Sequence, residues 1–183
     1  MIILGIDPGL NVTGYGIMEA LPDHLRLITA GDIRPPRTEP MAQRLGVIHR
    51  TLSQLIVRYH PDTVVLEKIF THYRHVTTAT LMAHARGVAC LVTQEHGLPL
   101  AEYPPTQVKK SLTGNGSASK EQVARMVGQW LSRAPACRNG TVWKRGGGGR
   151  ERAWSADATD AMALAIVHAH IEAQRRNLPA GLH

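Results

Sequence analysis

The sequence predicts an α/β fold whose core is a mixed five-stranded sheet flanked by helices. Two observations lead to this prediction: the chain opens with three apolar segments separated by short turns, and two further apolar segments then alternate with helical repeats. Consecutive strands with short turns pair antiparallel, whereas strands joined through a helix complete a mixed sheet. With 183 residues the chain suits one domain. We place that domain at 1–176, with a C-terminal tail at 177–183.

The strands are predicted from short apolar segments and from the glycines that punctuate them. Gly9, Gly14 and Gly16 supply the turns and close approaches around the first two strands. The predicted strands span residues 2–7, about 13–20, about 25–33, 63–67 and 98–103.

The helices are predicted from apolar residues that recur every three or four positions. Pro61 ends the first helix, and Ser119 with Gln122 matches a capping box that opens the fourth. In the second helix, Leu91 is assigned to the same buried stripe as Ala85. The predicted helices span 40–59, 77–95, about 106–112, a segment that opens at Ser119, and about 155–174.

Charge and cysteine content narrow the class of protein. The chain has 21 Lys and Arg residues against 14 Asp and Glu residues, a formal net charge of +7, which favours a polyanion such as nucleic acid as the partner. Cys90 and Cys137 have neither metal-site nor disulfide-framework spacing. Because no signal peptide or membrane-spanning segment is recognisable either, we predict a cytoplasmic protein.

Four carboxylates are placed where folding can bring them together. Asp7 ends the first strand, Glu67 ends the fourth, and Asp157 and Asp160 share one face at the start of the last helix. One explanation for the helical pair is that these acids only cap their own helix. Since an acid at the end of a buried strand is costly without a cation, the set of four instead favours a metal site.

The predicted chemistry at these acids is two-metal-ion hydrolysis of a phosphodiester. Two Mg²⁺ or Mn²⁺ ions about 3.5–4 Å apart activate water, neutralise the phosphate and stabilise the leaving oxygen. Hard cations prefer carboxylate oxygens, so four acids suffice for two ions per subunit. We assign Asp7 to both ions, with Glu67 holding one and the helical pair holding the other.

Residues 132–154 form a segment without apolar periodicity. It contains four consecutive glycines at 146–149 and is strongly basic, which predicts a mobile loop. One interpretation is a solvated loop that charge keeps open. Its position directly before the acidic helix favours a basic arm that binds backbone phosphates. The candidate contacts are Lys144, Arg145, Arg150 and Arg152.

Several sequence blocks occur in one order along most of the chain. They are residues 3–9 (ILGIDPG), 13–16 (TGYG), 66–70 (LEKIF), 85–88 (ARGV), 107–109 (QVK), 114–120 (GNGSASK) and 156–161 (ADATDA). These blocks resemble the bacterial crossover junction endodeoxyribonuclease RuvC family. The resemblance implies a ribonuclease H-like fold, a homodimer, and resolution of four-way Holliday junctions by paired nicks in DNA recombination and repair. It also implies cooperation with a branch-migration motor.

The resemblance places the family's catalytic acids on Asp7, Glu67, Asp157 and Asp160, which are all present. The segment at 132–154 departs from the short connection that is usual in the family.

Phe70 is the only phenylalanine in the chain and follows Glu67 by three residues. An exposed aromatic beside an active site can stack on an unpaired base, whereas a buried one packs in a core or dimer contact. The residue pattern alone leaves both interpretations open, and the resemblance favours DNA contact.

Basic residues near the predicted site are candidate DNA contacts. Lys109 and Lys120, with Lys110 alongside, flank the glycine turn at Gly114, where they can bind phosphates or stabilise the transition state. Lysines on helices are usually only solvated, so the resemblance carries this assignment. Further candidates are Arg74, Arg86, His72 and His75, and Arg86 has the alternative of an internal ion pair.

A dimer follows from the proposed reaction, because symmetric cutting needs two active sites and the chain has one set of acids. We predict an interface on the helix at 77–95, where His84 and Arg86 interrupt an apolar surface.

Other functions remain to be distinguished. A related ribonuclease H-like nuclease that acts on RNA or another branched substrate would share the acids, and a junction-binding module would lack catalysis. The opening Gly5-Ile6-Asp7-Pro8-Gly9 also resembles the phosphate loop of sugar kinases and actin-like ATPases. Those proteins need a duplicated domain and about twice this length, which argues against this function.

Overall fold

A computed structural model describes residues 1–68, 76–133 and 154–177. Five strands and five helices lie in these ranges. In chain order they are β1 (Ile2–Asp7), β2 (Thr13–Ala20), β3 (Leu25–Ile33), α1 (Met41–Tyr59), β4 (Thr63–Glu67), α2 (Val76–Glu95), β5 (Leu100–Tyr103), α3 (Pro105–Thr113), α4 (Lys120–Arg133) and α5 (Ala156–Asn177).

The strands form the predicted mixed sheet, in the order β3-β2-β1-β4-β5. β1 and β3 each pair antiparallel with β2, while β4 runs parallel to β1 and to β5. The parallel strands are joined through α1 and α2, because a parallel pair needs a crossover connection. β1 and β4 therefore end at the same edge of the sheet.

α5 lies against one face of the sheet at unusually short range. A Cβ atom on Gly5 would lie 2.0 Å from the carbonyl oxygen of Ala161, and one on Gly14 would lie 2.1 Å from the carbonyl oxygen of Asp157. Only glycine leaves room for a helix backbone this close to a strand. All residues from Ala161 to Ala169 are buried, so α5 is the central helix of this side of the core.

α1 and α2 cover the opposite face of the sheet. Leu91 is 52% exposed, so its assignment to the buried stripe of α2 was wrong. The stripe that packs on the sheet runs along another side of the helix, and Leu91 lies six residues, about 240° of helical rotation, beyond Ala85. The buried apolar residues of the two helices are Ile48, Leu52, Ile56, Ala85, Ala89 and Val92.

Element ends differ from prediction by a few residues, for local reasons. β5 begins at Leu100 rather than at residue 98, because the Leu98 amide still bonds the Thr93 carbonyl (3.0 Å) and Pro99 has no amide hydrogen. The capping box is confirmed: the Ser119 amide donates to Gln122 Oε1 (2.8 Å) and the Gln122 amide to Ser119 Oγ (3.3 Å). α4 continues to Arg133, so the first two residues of the predicted loop are helical.

Within the described ranges, no helix has the length and apolar character that crossing a bilayer requires.

Candidate active site

The ends of two parallel strands bring the first two acids together. β1 and β4 pair in register with Ile6 opposite Leu66, so Asp7 and Glu67 are the next residues on neighbouring strands. Neighbouring strands lie about 4.8 Å apart, and successive side chains alternate between faces. Both carboxylates are therefore on the same face, above the edge of the sheet.

The start of α5 brings the other two acids to this edge. Gly14 pairs with Asp7 across β1 and β2, and the backbone of Asp157 rests on Gly14. Asp157 and Asp160 are three residues apart in the first turns of the helix, so they share a face. The helix dipole at this end favours negative charge, which partly offsets the repulsion between the pair.

The acids interact electrostatically, which the pKa of Asp7 reflects most strongly. Burial, together with the negative charges of Asp160, Glu67 and Asp157, raises this pKa from 3.8 to about 7, while Lys120 opposes the rise. Each of the other three predicted acids thus acts on Asp7. The structure therefore brings the four predicted residues into one electrostatic cluster centred on Asp7.

Two lysines balance part of this negative charge. Burial raises the pKa of Glu67 and of Asp160, and in both cases Lys120 and Lys109 lower it. Asp160 in turn raises the pKa of Lys120. Both lysines are therefore close enough to these acids to interact with them electrostatically.

The turn between α3 and α4 positions Lys120. Gly114 caps the C-terminus of α3, and its φ of 77° is a left-handed conformation that favours glycine. α4 then begins at Lys120, and its Nζ lies 3.5 Å from Asp160 Oδ2. The lysine side chain is 77% exposed, so its ammonium group remains accessible from solvent. Lys109 is partly buried on α3, whereas Lys110 is exposed.

Arg86 supports the site from the other face of the sheet. Its guanidinium pairs with Glu102 and donates to the backbone carbonyl of Glu67 at 2.9 Å. The internal ion pair that the sequence left open is therefore formed. Arg86 holds the end of β4, and a DNA contact from it stays a prediction.

Two residues that the sequence analysis missed hold the loop after Asp7. Thr13 Oγ1 donates to the Gly9 carbonyl at 2.8 Å and accepts from the Gly9 amide at 3.3 Å. Arg44 on α1 donates to the Leu10 carbonyl (2.9 Å) and to Asn11 Oδ1 (2.7 Å). The four-residue spacing of Gly9 and Thr13 was a weak sequence signal for this closed loop. Nothing in the sequence indicated a role for Arg44, because its two partners lie over 30 residues away.

The remaining candidate DNA contacts lie outside the described residues. They are Phe70, His72, Arg74, His75, Lys144, Arg145, Arg150 and Arg152.

The donor set fits hard divalent cations. In the described part of the chain, no group of three Asp, Glu, His or Cys side chains forms a ready-made metal cage. Mg²⁺ is commonly bound through one or two carboxylates, with waters and substrate phosphate completing its shell, so a complete protein cage is not required. Burial and three neighbouring carboxylates raise the pKa of Asp7, and a bound cation would offset both effects.

Comparison with known proteins identifies the family. A family profile described as crossover junction endodeoxyribonuclease RuvC matches residues 3–137. A protein of that name from Granulibacter bethesdensis is 41% identical over 173 residues, which are 94% of this chain and 87% of the relative. The chain belongs to the RuvC family. A second RuvC, from Halorhodospira halophila, is 42% identical over 170 residues, 92% of this chain and 89% of the relative.

A solved RuvC structure has the same fold. T. thermophilus RuvC in complex with a Holliday junction substrate superposes with a TM-score of 0.77 at 30% identity, over 96% of each chain. The predicted ribonuclease H-like architecture is thereby confirmed. Membership of this nuclease family implies dependence on a divalent metal ion.

The pKa of Asp7 predicts how pH affects the metal-free protein. Because folding raises this pKa to about 7, folded Asp7 binds a proton more tightly than the unfolded chain does. Its contribution to stability is full below pH 3.8 and is lost as pH rises through about 7. Asp7→Asn should therefore have a higher melting temperature than the wild type at pH 8 in EDTA. Each kcal/mol gained in the free energy of unfolding raises the melting temperature by about 2–4 °C.

The measurement is a thermal melt of both proteins at pH 4.5 and pH 8. We expect the difference in melting temperature between the two proteins to be small at pH 4.5. At pH 8 this difference should shrink when Mg²⁺ is added, since the cation stabilises ionised Asp7 only in the wild type. Equal gaps at both pH values would contradict the raised pKa.

Proposed function

We propose that this chain is a metal-dependent endodeoxyribonuclease that resolves four-way Holliday junctions by paired, symmetric nicks in DNA recombination and repair. The observation that carries the proposal is the convergence of Asp7, Glu67, Asp157 and Asp160 at one sheet edge in a member of the RuvC family. A relative solved with a Holliday junction substrate supports the choice of DNA substrate.

The four acids are proposed to hold two Mg²⁺ or Mn²⁺ ions in each subunit. Such ions supply an activated water, a neutralised phosphate and a stabilised leaving oxygen. Asp7 interacts with all three other acids, which supports its assignment to both ions. Glu67 approaches from the β4 side and the helical pair from the α5 side, which supports one ion for each.

Lys120 and Lys109 are proposed to bind the scissile phosphate. Both act on the acids electrostatically, and the Lys120 ammonium lies 3.5 Å from Asp160 while staying largely exposed. A phosphate among the acids would bring negative charge to the same place. The lysines would then stabilise the additional charge that develops on the phosphate oxygens in the transition state. Lys110 is exposed on the same helix and is proposed to contact backbone phosphate further out.

A homodimer is proposed, with α2 at its interface. Ala83, Gly87 and Leu91 are exposed and recur every four residues, so they form one apolar stripe on this helix. Leu91 is 52% exposed, a high value for a leucine, and a second copy of the chain packed on this stripe would cover it. Arg86 points into the chain toward Glu102, so it is withdrawn from this stripe.

The proposal also includes a protein partner, a location in the cell and two further contacts with DNA. A branch-migration motor is inferred from the family alone, and a cytoplasmic location from cysteine usage. Base stacking by Phe70 and phosphate binding by the segment at 132–154 are inferred from the sequence.

Cleavage of a synthetic four-way junction tests the function. The chain is incubated with junctions labelled on each strand in turn, in Mg²⁺ or Mn²⁺, and the nicks are mapped at nucleotide resolution. We expect two nicks at symmetry-related positions on opposing strands, and no nicks in EDTA.

Linear duplex and an RNA–DNA hybrid of the same sequence serve as control substrates. Preferential cleavage of the hybrid would indicate a different ribonuclease H-like activity. Binding without any cleavage would indicate a junction-binding module.

A further inference from the structure

The start of α5 lies over a row of three paired residues of the sheet, one each on β1, β2 and β3. Asp7 pairs with Gly14 across β1 and β2, and Gly14 pairs with Asp32 across β2 and β3. Asp7 and Asp32 are thus two strands apart, about 10 Å in the hydrogen-bonding direction. That separation is too large for Asp32 to share a metal ion with Asp7.

α5 crosses this row between the two aspartates. Its first turn rests on Gly14, where an added Cβ would lie 2.1 Å from the Asp157 carbonyl oxygen. On one side, Asp157 and Asp160 act on Asp7. On the other side, Ser155 Oγ hydrogen-bonds Asp32 Oδ1.

Ser155 connects this contact to the helix. Its hydroxyl has one proton, which goes to the Asp32 carboxylate, so an oxygen lone pair is left to accept the Ala158 amide at 3.0 Å. Ser155 therefore caps α5, and its carbonyl also accepts from Thr159 Oγ1 at 2.8 Å. Fixing Ser155 on β3 fixes the first turn, which carries Asp157.

The Asp32 carboxylate is fully engaged in this arrangement. Its second oxygen, Oδ2, accepts from Arg34 at 2.6 Å, and the aspartate side chain is only 14% exposed. Arg34 itself is exposed, so the ion pair contributes little stability of its own. The residue thus has a defined orientation with one oxygen directed at the helix cap.

We propose that Asp32 is a positioning residue for the metal-binding acids of α5, acting through Ser155. Four carboxylates at one point repel one another, and in the absence of cations this repulsion pushes the first turn of α5 away from the strands. The Asp32–Ser155 contact opposes that displacement from outside the cluster. This inference rests on the proposed function only in assigning the acids to metal ions.

The test compares Asp32→Ala, Asp32→Asn and Ser155→Ala with the wild type. Mn²⁺ binding is measured by calorimetry without DNA, and junction cleavage is measured as kcat and as the Mn²⁺ concentration for half-maximal rate. We expect Asp32→Ala and Ser155→Ala each to weaken Mn²⁺ binding about 10-fold or more, as loss of an outer-shell contact does. Asp32→Asn should restore most of the affinity, because an amide oxygen still accepts the Ser155 proton.

Thr93→Val is the matched control, since it deletes another buried hydroxyl hydrogen bond, from Thr93 Oγ1 to the Ala89 carbonyl, at the far end of α2. It should leave Mn²⁺ affinity unchanged at a similar melting temperature. The double variant Asp32→Ala/Ser155→Ala should bind Mn²⁺ no more weakly than Ser155→Ala alone, because removing the Ser155 hydroxyl already removes the contact with Asp32. If Asp32→Ala fails to fold, Ser155→Ala and Asp32→Asn decide the question.

Wild-type Mn²⁺ affinity in Ser155→Ala, or an Asp32→Asn defect as large as that of Asp32→Ala, would overturn the inference. Failure of the proposed function would give a different result, in which the wild-type chain binds Mn²⁺ but does not cleave the junction.

Discussion

We expect Asp7→Asn to reduce junction cleavage by more than about 1,000-fold while junction binding stays largely intact. Asp7 is the acid on which the other three act, so neutralising it removes the centre of the cluster. Asparagine has nearly the same shape, and β1 and its neighbours need not move. Binding persists because all 21 Lys and Arg residues are unchanged, and phosphate contacts dominate affinity for DNA.

The measurement is single-turnover cleavage of a four-way junction, together with binding of the same junction in Ca²⁺. Asp23→Asn is the matched control, because Asp23 has an 83% exposed side chain in the turn between β2 and β3, at the opposite end of the strands from Asp7. It should cleave at the wild-type rate. An Asp7→Asn protein that nicks at full rate would rule out the role assigned to Asp7.

The second large effect is expected from Gly14→Ala. The new methyl group would lie 2.1 Å from the Asp157 carbonyl oxygen and 2.7 Å from the Ala158 nitrogen, and both are backbone atoms that no side-chain rotation can move. α5 must therefore shift outward by an ångström or more. A displacement of about 1 Å at reacting groups costs on the order of 100-fold in rate, and overpacking costs about 1–3 kcal/mol in stability.

Gly128→Ala provides the control for this variant. Gly128 lies within α4, and an added Cβ there has no atom within 4 Å. Alanine at that position should leave cleavage unchanged and raise the melting temperature slightly, because alanine favours helix. Cleavage by Gly14→Ala at the wild-type rate would show that the contact between α5 and β2 does not position the acids.

The local pattern of the sequence was sufficient to predict the strands and to propose the four acids. Asp7 and Glu67 could be found because each follows an apolar run directly, and parallel strands end at a common edge. Asp157 and Asp160 could be found because a spacing of three residues defines a helix face. In each case the informative residues are close in sequence.

Features that depend on register between distant elements could not be predicted. Gly14 was assigned to a turn or close approach, but which helix approaches it depends on how α5 crosses β2. Asp32 gave no signal, because an aspartate near the end of a strand is usually solvated, and its partner Ser155 lies 123 residues away. Leu91 was misplaced because leucines at helical spacing do not reveal which of two apolar stripes faces the sheet.

The measurement that tests the central claim most directly is anomalous X-ray diffraction from crystals grown with Mn²⁺. The claim is that Asp7, Glu67, Asp157 and Asp160 together hold the cations that drive hydrolysis. We predict two manganese peaks in each protomer, about 3.5–4 Å apart, with Asp7 oxygen between them. Manganese bound elsewhere in the chain, with none among these four carboxylates, would contradict the account.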